Sequence, residues 1–382
     1  QTPAENVDQE DAPEVQETEG VEKQPVNPNS AKLLERLFAR GVLPKYAFPT
    51  DLATFYVFDE ANSDQFRARF LYTPSYATRM SLSTYAPGKG VYIDSQEWTS
   101  GAIYSPIKGQ RSLSWEQRQL YFECLRCGFA KVEPVSETAT LNGLEDCPAC
   151  AGVKTLGPAS NWIKPPGFAH PIDIKPKNTV DEFDERTYPT KAVLTAGTLD
   201  DSGWKVVNER VMSHGDRADL LVTNRGLLRR NAYRGFAYCT WCGRIDVAGT
   251  RKPNLELGHI KPVPTYEACD KAHMVSPKVM LGTRFITDIL LLRFKLIPPA
   301  ILLPGELATK VALTTICAAV AKAGSRVLLD RNSNELEANF RPALTPGGAD
   351  GSEIEIYVYD TLAGGAGFST QLAEDPVTLL ET

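Results

Sequence analysis

The sequence contains no Gly-Lys-Ser/Thr, and therefore no Walker A loop, and no GxGxxG run opening a helix. It also lacks a GxSxG elbow, an HExxH pair and an HxE with a PCxxC partner. Those absences leave these residues without the signatures of an NTPase motor, a dinucleotide site, a serine hydrolase, a zinc protease or a zinc deaminase. No independent active site is expected. The chain does not open with a basic start and an apolar run, so no secretion signal is expected. No run approaches the roughly 20 apolar residues that span a bilayer. The best, residues 289–303, is broken by Arg293, Lys295, Pro298 and Pro299. A soluble, cytoplasmic chain without membrane contact is the expectation. There is no internal repeat beyond a recurring CxxC.

What is present is 382 residues, 42% of them apolar, enough for two or three packed units. The first residue is Gln, so a piece of a longer polypeptide is expected. The net charge of -6 is unevenly placed. Residues 1–29 hold eight acids (Glu5, Asp8, Glu10, Asp11, Glu14, Glu17, Glu19, Glu22) and one base, Lys23. The rest carries 39 acids against 40 bases, a net of +1. A nearly neutral body neither demands nor excludes a nucleic-acid partner.

Four segments follow from composition and periodicity, with a mixed α/β fold. Residues 1–29 have too few large apolar side chains to order themselves and read as a tail or linker. Residues 30–155 read as an α/β region. Ser30 caps a helix whose stripe is Leu33, Leu34, Leu37 and Phe38, stopped by Gly41 and Pro44. Strands are expected at 53–58, 67–72 and 91–94, and a helix at Ser114 to Tyr121. Residues 156–217 are proline-rich and read as a connection, with a short strand at 192–195. Residues 218–382 form a second unit, with strands at 219–223 and 354–359. It also holds an apolar helix at 311–329, weakened by Gly324, and a last helix at 369–373.

Cysteine spacing gives the sharpest chemistry. Six of eight cysteines are in CxxC pairs, which in a large chain without a secretion signal points to metal rather than disulfides. Cys124-x2-Cys127 and Cys147-x2-Cys150 present four thiolates to one structural zinc ion in a ribbon-like insertion. Cys239-x2-Cys242 is half of a second zinc site. The other half is Cys269 with either His259 or His273, which spacing alone does not separate. Cys317 lies within the apolar helix and reads as a core thiol. His170 and His214 find no partner and read as surface residues.

Arg225, Arg229, Arg230 and Arg234 put four positive charges into ten residues without an acid, interleaved with Tyr233, Phe236, Tyr238 and Trp241. Arginines can hold phosphates and rings can stack on unpaired bases. A solvated basic face over core aromatics is the alternative. The turn Gly364–Gly367 sits between a strand and a helix. It could hold a phosphate on backbone amides, but the tight-turn reading is favoured. Asp288 and Asp360 lie near apolar strands or turns without an assigned role.

Several stretches, taken in order, resemble the C-terminal part of superfamily 2 DNA helicases that carry the MrfA-like zinc-binding domain. They are Arg40-Gly41-Val42-Leu43-Pro44-Lys45-Tyr46-Ala47-Phe48-Pro49, then Tyr85-Ala86-Pro87-Gly88-Lys89. Val222-Thr223-Asn224-Arg225-Gly226 runs on through Arg234-Gly235-Phe236 to Cys239-Thr240-Trp241-Cys242-Gly243-Arg244. His259 with Pro262, Cys269 and the run from Leu281 to Leu290 follow, and Tyr359-Asp360-Thr361 with Gly364-Gly365-Ala366-Gly367 closes the set. The pattern departs at Thr283, where the family is expected to have His. The resemblance selects His259 as the fourth ligand of the second site and implies a C-terminal α/β zinc-binding domain. It further implies an accessory region of an ATP-dependent helicase in anti-phage defence (Druantia or DISARM type) or DNA repair. DNA, single-stranded or at a junction, is the implied partner, with the ATPase motor upstream or in a partner subunit. The rival reading is a zinc-dependent protein-interaction scaffold. A third is a nuclease using the Gly-rich turn.

Overall fold

In a computed structural model the described residues are 51–63, 67–137, 139–178, 187–195, 203–229, 232–248, 255–303, 305–329 and 334–382. The expected tail over residues 1–29, the helix beginning at Ser30 and the stretch Arg40 to Pro49 lie outside them.

The longest strand, Val275–Lys295, takes in the first part of the interrupted apolar run at 289–303. The ten elements that position the site are β1 (Gln119–Glu123), β2 (Ala130–Pro134), β3 (Ser160–Ile163), β4 (Val211–Asn224), β5 (Phe236–Cys239), β6 (Val275–Lys295), α1 (Leu307–Leu329), β7 (Leu336–Pro342), β8 (Glu353–Asp360) and α2 (Phe368–Glu374). In β6, Leu281, Thr283, Phe285, Thr287 and Ile289 point inward while Arg284 and Ile286 are exposed, a period of two. From Ile289 to Leu292 the alternation stops, because both faces are covered. Ile289 and Leu291 meet Tyr357 and Tyr359 on one face. Leu290 and Leu292 meet Cys317 and Ala321 of α1 on the other.

β6 is the spine of an 11-stranded sheet. β4 runs antiparallel to it from Asn224↔Leu281 to Val211↔Phe294. β3 lies parallel to it at Asn161↔Val279 and Ile163↔Leu281, and β1 and then β2 extend that edge. β5 pairs near the N-terminal end of β6, with Cys239 opposite Val275. β8 and then β7 pair along its C-terminal end. A five-stranded sheet of 52–58, 70–72, 75–77, 102–103 and 167–169 completes the mixed α/β fold. Strands from residues 119–163 and from 211–360 thus share one sheet.

Several local expectations are corrected. The helix placed at Ser114 to Tyr121 is instead a helix over Lys108–Glu116, and Gln119 already belongs to β1. Leu120 and Phe122 pack in one buried cluster and Tyr121 in another with Trp162 and Met280, so both faces of β1 are covered, and its pairing on both edges overrides local helix preference. His170 and His214 are buried, not surface residues. His170 places Nδ1 3.0 Å from the Thr99 carbonyl and Nε2 2.7 Å from the Ile174 carbonyl. His214 packs against the Trp204 ring at 5.4 Å. Thr283, the departure from the family pattern, is buried and donates to Asp51 at 3.1 Å.

α1 is long and apolar enough to cross a membrane by length and composition, with a mean hydropathy of 1.4 over its best window. Inspection for an unbroken run overlooks it, because Lys310, Lys322 and Arg326 interrupt it. One face packs on the sheet as a core helix does, while Leu307, Val311 and Ile316 are exposed. Gly324 is a packing device rather than a flaw: a Cβ there would come within 2.8 Å of Leu372 in α2. Beneath, Glu355 is fully buried and binds Arg293 at 2.8 Å and Arg341 at 2.7 Å.

Candidate metal centres

The first centre grows out of the β1–β2 hairpin. β1 delivers Cys124, and the chain turns through Cys127 back into β2. The Gly128 amide donates to the Cys124 carbonyl at 2.9 Å, and the Cys124 amide donates to Phe129 at 2.7 Å. Gly128 sits at φ +78°, a conformation that a side chain disfavours. The second pair uses a similar turn, with the Cys147 amide donating to the Gly152 carbonyl at 2.9 Å. Cys124 Sγ lies 3.7 Å from Cys150 Sγ, and Cys127 Sγ lies 3.7 Å from Cys147 Sγ. A disulfide needs about 2.05 Å, so these are not disulfides. Zinc–sulfur bonds of about 2.3 Å in a tetrahedron give sulfur–sulfur edges of about 3.8 Å. All four ligand atoms lie within 4.8 Å of one another.

The second centre starts with the same turn. The Gly243 amide donates to the Cys239 carbonyl at 2.9 Å and the Cys239 amide donates to Arg244 at 2.8 Å. Cys239 Sγ is 3.9 Å from Cys269 Sγ, and Cys242 Sγ is 3.2 Å from His259 Nε2. The amide of Cys269 donates to the carbonyl of His259 at 2.8 Å, which ties those two ligands together. His259 Nδ1 lies 2.9 Å from the Leu255 carbonyl. That contact keeps the proton on Nδ1 and leaves Nε2 as the free donor to a metal. His259 therefore joins this cluster. His273 is exposed in the turn Ala272–Met274 and is not in it.

The thiols also interact electrostatically as clusters. Cys124 is held well below its usual range by hydrogen bonds from Cys127 and then Cys147, and Cys127 is pushed well above by the same sharing. Cys239 is pulled down to about 4 by hydrogen bonding to Cys242, with His259 adding to it. A shared proton favours one thiolate at its neighbour's expense, whereas a bound dication permits all of them to ionise. Four buried sulfurs, or three with an imidazole, at tetrahedral spacing suit zinc.

Among the described residues the arginine–aromatic run does not form one patch. Arg225 turns inward and pairs with Glu123, beside the first centre. Phe236 and Tyr238 are core residues. Arg230 and the side chains of Arg229 and Tyr233 lie outside the described residues. Arg234 is exposed. Trp241, inside the second CxxC, is 52% exposed and carries Lys271 Nζ 3.6 Å from its ring centroid.

The Gly-rich turn wraps protein carboxylates. Asp360 is fully buried and accepts from the amides of Ala366 (2.7 Å), Phe368 (3.1 Å) and Ser369 (2.8 Å). Asp288 accepts from the Gly367 amide at 3.1 Å. A phosphate there would meet two negative charges and amides already engaged, so the tight-turn reading holds.

Comparison with known proteins follows this geometry. No protein-family model matches the chain. The chain is 30% identical over 357 residues to Druantia protein DruE of Escherichia coli (strain UMEA 4076-1), covering 88% of this chain and 19% of that protein. The resemblance drawn from the short stretches is thus borne out along most of the chain, which spans about one fifth of that relative. Among solved structures, the chain is similar to the crystal structure of DUF1998 helicase MrfA bound to DNA, with a TM-score of 0.39 and 12% identity. That match covers 91% of this chain and 33% of the other. At that score the likeness carries no weight for the site.

Proposed function

We propose that this chain is a zinc-stabilised accessory region of a helicase-associated anti-phage defence protein, and that it contacts DNA. The similarity to Druantia protein DruE over 357 residues carries this reading, supported by the two ligand clusters. The region 30–155 with its four-cysteine ribbon, the connection 156–217 and the zinc-binding domain 218–382 are the proposed working divisions. Two zinc ions per chain are proposed, on Cys124, Cys127, Cys147 and Cys150 and on Cys239, Cys242, His259 and Cys269. The zinc ions hold structure: a set of four protein ligands leaves no open position for substrate. No catalytic residue is assigned, and the ATPase motor lies outside these residues.

DNA contact draws on Arg234, which lies near Lys278, and, beside the second centre, on Trp241 with Lys271. The exposed indole supplies a stacking face, and the cations supply phosphate contacts. Affinity of the chain for single-stranded DNA is expected to fall steeply with salt, and Arg234→Ala with Trp241→Ala to weaken it. Absence of binding at about 50 mM salt, where phosphate contacts are strong, would end the DNA reading.

The exposed Leu307, Val311 and Ile316 on α1 favour a second reading, a protein-interaction scaffold. A stable partner that co-purifies with the chain, is released by Val311→Glu and leaves DNA affinity nil would establish it.

A further inference from the structure

Beside the first centre lies a cleft of about 750 Å³. One wall is the ribbon, through Cys124, Leu125, Cys127 and Phe129. The floor is sheet, through Tyr121, Met280 and Val193, and the far wall is α1 with β7. Gly305, just before α1, packs onto the Arg126 carbonyl of the ribbon, so the two walls touch.

Its lining is strongly one-signed. Lys191, Arg225, Lys278, Lys310 and Arg341 line it against a single acid, Glu123. Glu123 is already engaged by Arg225 and by the Tyr121 hydroxyl at 2.9 Å. Arg341 shares the buried carboxylate of Glu355 with Arg293. Lys191, Lys278 and Lys310 have no ion-pair partner among the described residues. A zinc tetrathiolate adds two formal negative charges to the ribbon wall, and the five cations still outweigh it together with Glu123. Burial, and then repulsion from Arg234, lower the Lys278 ammonium below its ordinary range. A half-buried ammonium crowded by another cation is relieved by an anion.

We propose that this cleft holds the phosphodiester backbone of a single nucleic-acid strand. The cations come from separate elements, among them Lys278 on β6, Lys310 on α1 and Arg341 on β7, as contacts to successive phosphates along a strand would use. Beside Tyr121, whose hydroxyl is engaged by Glu123, Asn339, Ser160 and Thr314 are the neutral hydrogen-bonding side chains in the lining, which suits binding without sequence preference. The proposal rests on the DNA reading above and moves its main grip from the second centre to the first. An acidic protein segment is the competing occupant.

The test uses the 382-residue chain with zinc bound. A labelled oligo-dT, a duplex of equal length and polyglutamate are titrated across a salt series. Lys191→Ala with Lys310→Ala alters two exposed lysines and should leave zinc content and circular dichroism unchanged. The salt slope for oligo-dT is expected to fall by about 1.4, or about 0.7 for each lost phosphate contact. Lys278→Ala should add a similar decrement, and Lys310→Arg should restore its share. If the slope and affinity match the parent while Trp241→Ala lowers them, the cleft proposal is wrong and the DNA reading stands. Polyglutamate that binds at the three lysines while oligo-dT does not would overturn the proposal in favour of a protein ligand. No oligo-dT binding at low salt defeats both.

Discussion

The two cysteine clusters begin alike and finish differently. Each opens with C-x2-C-G, in which the glycine amide returns to the first cysteine carbonyl at 2.9 Å. The first cluster then repeats a similar turn around Cys147 and finishes within a hairpin. It packs mainly against apolar side chains of its own segment, Phe122, Phe129 and Leu156, with Leu344 set against them from outside. The second reaches out to His259 and Cys269, and its first cysteine lies in β5 against the end of β6. One centre is a folding unit, and the other is a staple between a loop and the main sheet. Their exposed knuckle residues differ as well: Leu125 and Arg126 at the first, Trp241 at the second.

The largest test of that contrast is Cys124→Ser. Structural zinc binding contributes roughly 10–16 kcal/mol in small peptides, so losing a thiolate should unfold the ribbon. Elemental analysis should fall from two zinc ions to one, and limited proteolysis should open residues 124–157. A variant that keeps both ions would break the comparison. His259→Ala comes next. It should release the second ion but leave the ribbon protected from protease and shift the melting temperature less. His259→Cys should retain the metal, and His273→Ala should change nothing.

A smaller effect separates the two glycines. Alanine at either one pays the left-handed backbone cost of about 1–2 kcal/mol. At Gly128 an added Cβ meets nothing within 4 Å, whereas at Gly243 it lies 2.5 Å from the Ile103 carbonyl oxygen. Gly243→Ala should therefore be more destabilising by about 1 kcal/mol or more, since overpacking costs that much, as read in urea unfolding. Smallest is Trp241→Ala, which removes the Lys271 contact and about 0.5–1 kcal/mol while leaving zinc content unchanged.

The contrast also explains what could be read from the sequence. The first centre was legible because each pair of ligands is fixed by its own turn, and turns are local. The choice between His259 and His273 was not settled by spacing; it depends on the Leu255 carbonyl that orients the ring. The helix expected through Tyr121 failed because β1 takes its conformation from two neighbouring strands, one of them about 40 residues away in sequence. The Gly364–Gly367 turn kept two readings in sequence because the Asp288 carboxylate that occupies it comes from β6. The basic cleft left no linear trace: Lys191, Lys278 and Lys310 are scattered along the chain and meet only in the fold. Of the arginine run, conspicuous in sequence, the described members part ways: Arg225 is in an internal ion pair and Arg234 is on the surface.

The position of β6 in the chain sets an order of assembly during synthesis. The ribbon cysteines all lie between 124 and 150, so the ribbon can close on its metal soon after it emerges. Its neighbour β3 has no parallel partner until residues 279–281 arrive, roughly ten seconds later at ordinary elongation rates. Through that interval β3 presents an unpaired edge with the apolar residues Trp162 and Ile163. A nascent chain paused before residue 275 would hold a finished ribbon beside an open strand, and that is the stage at which a chaperone or a second nascent copy would find it.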